Sequence, residues 1–199
     1  MTNPTPRQPD HAIDPLFVER RSPRAFTGEA LPEAELMRMF EAARWAPSSY
    51  NSQPWRFVYA LRGDTNWDRL FDLISPGNQK WVTNTGALVI LVSSTRMKVG
   101  ENLQPSWSHS LDAGAASLAF QLQAIRQGWH AHGMTGFDKE RAVGVLNVPE
   151  HHRVEAAYAV GRAVAPAELS DEQRTRETPN GRRPITDFVF AGGFPDRDA

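Results

Sequence analysis

The run Ala87 to Val92 (ALVILV) constrains the fold more than any other stretch of the chain. It lacks the alternation of a strand with one wet face, so it predicts a strand covered on both faces. It is also far shorter than the roughly twenty apolar residues that a bilayer span needs. Around it, helical and strand patterns interleave. Asp14-Pro15 reads as an N-cap and first helical position, opening a short helix Pro15 to Glu19. Pro32 opens a second helix, with Glu33 and Glu35 at its positive end and Leu36, Met39, Phe40 and Ala43 at helical spacing, closing at Ala46-Pro47. A helix is expected around Trp67 to Ile74, followed by a turn at Ser75-Pro76-Gly77. A long helix is expected over Leu111 to Gln127, and a short one over Lys139 to Val145. Strands are expected at Trp55 to Ala60, Trp129 to Met134 and Glu155 to Gly161. Residues 95 to 108 read as irregular, Ala165 to Pro184 as a polar tail, and Phe188 to Phe190 as a last strand docking that tail. Together these predict one mixed α and β domain.

The 199 residues are about one domain's worth. The division expected is a flexible arm over residues 1 to 12 and a single domain over 13 to 199. A net charge of -1 argues against nucleic acid as a partner. The absence of cysteine excludes disulfides, thiolate metal sites and cysteine nucleophiles, and fits a cytoplasmic location. The polar N-terminus has no apolar signal core, and no apolar run is long enough to cross a bilayer.

Three segments could carry chemistry. Arg20-Arg21-Ser22-Pro23-Arg24 places three guanidiniums and a hydroxyl within five residues, a competent phosphate clamp because Arg offers paired, permanently charged donors. The same arginines also suit a helix C-terminus by charge alone. The loop Pro47 to Pro54 carries hydrogen-bonding side chains that could read the rim of a planar heterocycle, or simply form a surface turn. Gly181-Arg182-Arg183-Pro184 is either further phosphate contact or a charged tail. His130 and His132 share a strand face, but with no HExxH motif, thiolate or nearby carboxylate pair no metal is assigned. No GxSxG, GxxxxGK[ST] or GxGxxG motif occurs, so any nicotinamide is not held by a Rossmann turn.

The order of these segments resembles the nitroreductase family of FMN enzymes. It runs VERRSPRAF (Val18 to Phe26), APSSYNSQPWRF (Ala46 to Phe57), GNQKW (Gly77 to Trp81), DAGAASLAFQLQAIRQG (Asp112 to Gly128), GMTGFD (Gly133 to Asp138) and RRPITDFV, over about residues 14 to 190. The resemblance implies an α+β three-layer sandwich, with a mostly antiparallel central sheet flanked by helices. It further implies a homodimer with FMN at the subunit interface. In that reading Arg20 holds the phosphate with Arg21 and Ser22 beside it, and Arg24 faces the N1/C2=O edge of the ring. Pro47, Ser48, Ser49, Asn51 and Gln53 come from the partner subunit. Asn78 meets the pyrimidine side, Thr135 and Gly136 offer backbone N–H groups near N5 and O4, and Arg182 or Arg183 returns to the phosphate.

The implied activity passes reducing equivalents from NADH or NADPH to an electron-poor small-molecule acceptor by a ping-pong route, with no side-chain acid assigned. Residues 95 to 108 are short where many relatives carry a longer lid, leaving Trp107 and His109 to line the acceptor side. Two alternatives stand beside this: a non-catalytic FMN-sequestering protein, and a same-fold dehydrogenase or dehalogenase.

Overall fold

The structure, a computed structural model, describes residues 7–195. Its centre is an antiparallel sheet formed, in spatial order, by β1 (Trp55–Leu61), β2 (Ala87–Ser94), β6 (His152–Gly161) and β5 (His130–Met134). β2 is buried on both faces through Ser93, as its unbroken apolar run predicts. Its side chains alternate between two cores. Ala87, Val89 and Leu91 pack with Leu36, Met39 and Ala43 of α2 (Glu33–Arg44) and with Ala113, Ala116, Phe120 and Ala124 of α5 (His109–Arg126). Leu88, Ile90 and Val92 face the other core, with Leu70 of α3 (Trp67–Phe71), Val82 of α4 (Pro76–Val82) and Ala142 of α6 (Lys139–Val145). The result is the helix–sheet–helix sandwich of the α+β expectation.

Local chemistry sets the element ends. The Asp14 carboxylate accepts the Leu16 N–H at 2.9 Å and Pro15 fills the first position of α1 (Pro15–Glu19). Asp138 caps α6 by accepting the Arg141 N–H. The small residues of α5 serve two directions. Ala113 and Ala116 let the helix lie close on the sheet, whereas a Cβ on Gly114 would meet nothing within 4 Å.

Four expectations need correcting. Ser75-Pro76-Gly77 is not a free turn: Pro76 is the first residue of α4, where its missing N–H costs nothing. Residues 95 to 108 are not irregular throughout. They hold a hairpin of β3 (Arg96–Val99) and β4 (Asn102–Pro105), turning through Gly100 at φ +59°. The polar tail contains α7 (Asp171–Glu177), started by a reciprocal capping box between Ser170 and Gln173. Phe188 to Phe190 forms no strand and is exposed. Residues 1–6 of the expected arm and 196–199 of the expected domain lie outside the described residues. Arg7 and Asp10, within the arm, both bond to the C-terminal segment.

Candidate functional site

α1 ends at Arg20, whose N–H closes on the Leu16 carbonyl. The chain then runs extended through Pro23, which is fully buried and whose carbonyl lies 2.8 Å from Nδ1 of His132 on β5. This pinning places Arg20, Arg21, Ser22 and Arg24 around one cavity of about 310 Å³, lined also by Asn180 and Arg182 of the tail and by Arg7 of the N-terminal arm. Residues from both ends of the chain therefore meet at the first candidate motif.

The charges in this cavity are unbalanced. Its one acidic lining residue among the described residues is Glu177, whose carboxylate takes Arg21 Nη1 at 2.8 Å and the backbone N–H groups of Arg24 and Ala25 at 2.6 and 3.0 Å. Arg20 and Arg182 pair with no carboxylate among the described residues; Arg20 reaches only Ser22 Oγ and Gln121 Oε1, at 3.4 and 3.5 Å. Burial, and then Arg182, hold the Arg20 guanidinium below its ordinary pKa. Arg7 is lowered by burial, then by Arg182, Arg20 and Arg21. Partly buried like charges without a counter-ion are relieved by an incoming anion, and phosphate oxygens match the donor fork of arginine.

Arg24 also lines an adjoining cavity of about 170 Å³ with Lys80, Trp81, Arg176 and Glu177. The Trp81 ring lies 4.6 Å from His132, and its Nε1 donates to Asn78 Oδ1 at 3.3 Å. Asn78 Nδ2 in turn donates to the Gly136 carbonyl at 3.1 Å. Asn78 is thus one contact, and Gly136 two, behind the cavity-lining residues. Among the described residues the N–H groups of Thr135 and Gly136 have no acceptor within the chain. Arg182 lines the clamp cavity, whereas Arg183 lines only a neighbouring one of about 340 Å³ with Ile13, Phe17 and Phe188.

Pro47, Ser48, Ser49, Asn51 and Gln53 do not join this cavity within one chain. Their loop lies at the start of α5, where Asp112 Oδ2 accepts the Ser49 N–H at 3.2 Å and the Ser108 hydroxyl at 2.9 Å. Tyr50, Asn51 and Gln53 all have φ near +50°, a strained region for side-chain-bearing residues. Such strain persists where the surroundings over-determine the backbone and is concentrated at functional loops.

Trp107 is 93% exposed, while His109 turns inward, its Nδ1 2.7 Å from Ser93 Oγ, which also donates to Glu155. No group of three or more potential metal ligands gathers among the described residues. No helix among them is long and apolar enough to cross a membrane. Sequence reasoning did not single out Arg7, Lys80, Trp81, Glu177 or Asn180. Lys80 and Trp81 lie inside the GNQKW string, but the other three carry no local signal.

Comparison with known proteins identifies relatives of this chain. The model of the nitroreductase family matches residues 17–80. A solved structure described as the oxidoreductase containing FMN is 42% identical, with a TM-score of 0.90, over 98% of this chain and 99% of its own. A Rhodopseudomonas palustris protein, by name a provisional NADH dehydrogenase/NAD(P)H nitroreductase, is 31% identical over 87 residues, 44% of each chain. MhqN of Bacillus subtilis, by name a provisional NAD(P)H nitroreductase, is 23% identical over 207 residues, covering 87% of this chain and 96% of its own. With a family model matching residues 17–80 and a relative matching from end to end, the chain belongs to the nitroreductase family.

Proposed function

We propose that this protein is an FMN-dependent oxidoreductase that takes reducing equivalents from NADH or NADPH and delivers them to an electron-poor organic acceptor such as a quinone or nitroaromatic. The observation that carries the reading is the convergence of Arg20 and Arg182, without carboxylate partners among the described residues, on the cavity shared with Arg21, Ser22 and Arg24. Those residues fit a phosphomonoester: two uncompensated guanidiniums face a dianion, and the Ser22 hydroxyl adds a neutral donor.

Bound there, FMN would supply the two-electron chemistry. Arg20 and Arg182 would hold its phosphate, with Arg21 kept in place by Glu177. Arg24 would hold positive charge at the N1/C2=O edge of the ring, where reduction concentrates negative charge. Asn78 would orient the pyrimidine side, and the unused N–H groups of Thr135 and Gly136 would donate near N5 and O4. Donor and acceptor using one face in turn gives ping-pong kinetics.

Pro47, Ser48, Ser49, Asn51 and Gln53 would complete the site from a second copy of the chain, since in one copy their loop lies apart from the clamp. The dimer reading is supported by Trp107, Leu111 and Leu118, exposed to 93%, 77% and 44%, on and beside the helix that bonds this loop.

The test is the visible spectrum of the purified protein and its response to NADH or NADPH without oxygen. A yellow protein whose released cofactor is FMN, bleached by either nucleotide and restored by a quinone, is the expected result. A yellow protein that neither nucleotide bleaches is a sequestering protein, and one that stays colourless with added FMN ends the proposal.

A further inference from the structure

We propose that Arg7 in the N-terminal arm is a positioning residue of the phosphate clamp, so that the arm is a working part of the cofactor site; this rests on the FMN reading above. Its guanidinium joins two segments far apart in sequence. Nη1 donates to the carbonyls of Val18 and Arg20 at 2.9 and 2.6 Å. Nε donates to the Asn180 carbonyl at 3.0 Å, and Nη2 to Asn180 Oδ1 at 3.1 Å. Four bonds thus go to neutral acceptors, and among the described residues no carboxylate balances the charge. The Asn180 side chain also accepts from Arg182 Nη1 at 3.3 Å.

One planar cation therefore fixes the backbone of Arg20 on one side and, through Asn180, the side chain of Arg182 on the other. Neither Arg20 nor Arg182 has an acidic partner among the described residues. The rigid fork of arginine suits this task, because its donors are fixed relative to one another while a lysine offers a mobile point charge. The arm is held independently as well, by the Ile185 N–H donating to Asp10 Oδ2 at 2.9 Å. Arg7 lines the clamp cavity itself and adds its positive charge to those of Arg20, Arg21, Arg24, Arg176 and Arg182. Both contributions act on the phosphate end of a ligand and leave its ring alone.

The test compares FMN with riboflavin, which lacks the phosphate, by quenching of flavin fluorescence on apoprotein. Arg7→Ala is expected to weaken FMN at least tenfold and to change riboflavin less than twofold, with Arg7→Lys recovering part of the FMN loss. FMN affinity within twofold of wild type, or equal losses for both flavins, overturns the role. A second arm uses inorganic phosphate alone. Phosphate should raise the Tm of wild-type apoprotein and raise it clearly less in Arg7→Ala, and equal rises overturn the role. If wild type binds phosphate but not FMN, the oxidoreductase reading fails while the phosphate comparison still decides the role of Arg7.

Discussion

The Glu177 carboxylate neutralises Arg21 at 2.8 Å while its other oxygen accepts the Arg24 N–H at 2.6 Å. One buried side chain, only 6% exposed, thereby divides the work within the RRSPR motif. Arg21 has its counter-ion and anchors α7, whereas Arg20 is left for an external anion.

Replacing that anchor gives the first prediction. Glu177→Ala removes a charge-assisted bond to Arg21 and leaves the N–H groups of Arg24 and Ala25 without their acceptor. Stability should fall by about 1.5–3 kcal/mol, the usual range for a hydrogen bond to a charged group. Urea unfolding reads this directly, and amides of residues 171–177 should exchange faster. An unchanged midpoint and unchanged exchange would mean that α7 is held by something else.

The clamp arginines should separate by readout. Arg20→Ala should weaken FMN by about 1.5–3 kcal/mol, roughly ten- to over a hundredfold in Kd. Arg24→Ala should retain much of the binding but lower the potential of the bound flavin, because the positive charge favouring the reduced form is gone. Titration against a dye of known potential checks this, and equal potentials in wild type and variant would remove the role given to Arg24.

What the sequence made legible is uneven, for physical reasons. β2, α1 and α6 announce themselves because burial on both faces and N-caps are local properties of ALVILV, Asp14-Pro15 and Asp138. The β3–β4 hairpin does not, because its mostly exposed residues need no apolar alternation. α7 was hidden by prolines 166, 179 and 184 around it, although Ser170 and Gln173 spell a readable capping box. Arg20 to Arg24 read as a candidate clamp because they are contiguous. Glu177 and Arg7 were not, because only the tertiary path of the two chain ends brings them to the motif.

A side chain at Gly136 should displace Asn78. A Cβ there would lie 2.6 Å from Asn78 Nδ2 and 3.2 Å from Ser75 Oγ. The Asn78 amide is the movable party, so Gly136→Ala should turn it away from both the Gly136 carbonyl and Trp81 Nε1. The stability loss should stay near the lower end of the 1–3 kcal/mol typical of overpacking. FMN affinity should fall by more than that loss explains if Asn78 orients the ring. Thermal unfolding of apoprotein beside an FMN titration separates the two effects.

Stability should weaken in mild acid because of His130. Burial, then Arg21 and Arg162, push its folded-state pKa down to about 4 from 6.5, and Nδ1 is buried without a partner. The unfolded chain therefore binds the proton first. Stability is full above pH 6.5 and is lost as pH falls toward 4, by about 2 kcal/mol at pH 5 from this residue. His132, also lowered mainly by burial, acts in the same direction. Urea unfolding of wild type and His130→Phe between pH 7 and 5 should give a shallower pH slope in the variant, and parallel slopes would contradict the assignment.

The last prediction concerns the second copy. Ser49 is tied to Asp112, and Leu111 precedes Asp112 on α5, so the strained loop and the apolar face belong to one surface. Leu118 extends that face two turns further along the helix. Leu111→Glu with Leu118→Glu would place two like charges where two copies meet, while leaving each protomer's cores untouched, because both side chains are exposed. The doubly substituted protein should sediment as a folded monomer with a wild-type circular dichroism spectrum. It should also lose FMN, because each clamp would lack the loop supplied in trans, while inorganic phosphate should still raise its Tm through Arg20 and Arg182. A monomer that binds FMN as tightly as wild type would show that the Pro47 to Gln53 loop contributes nothing from a partner.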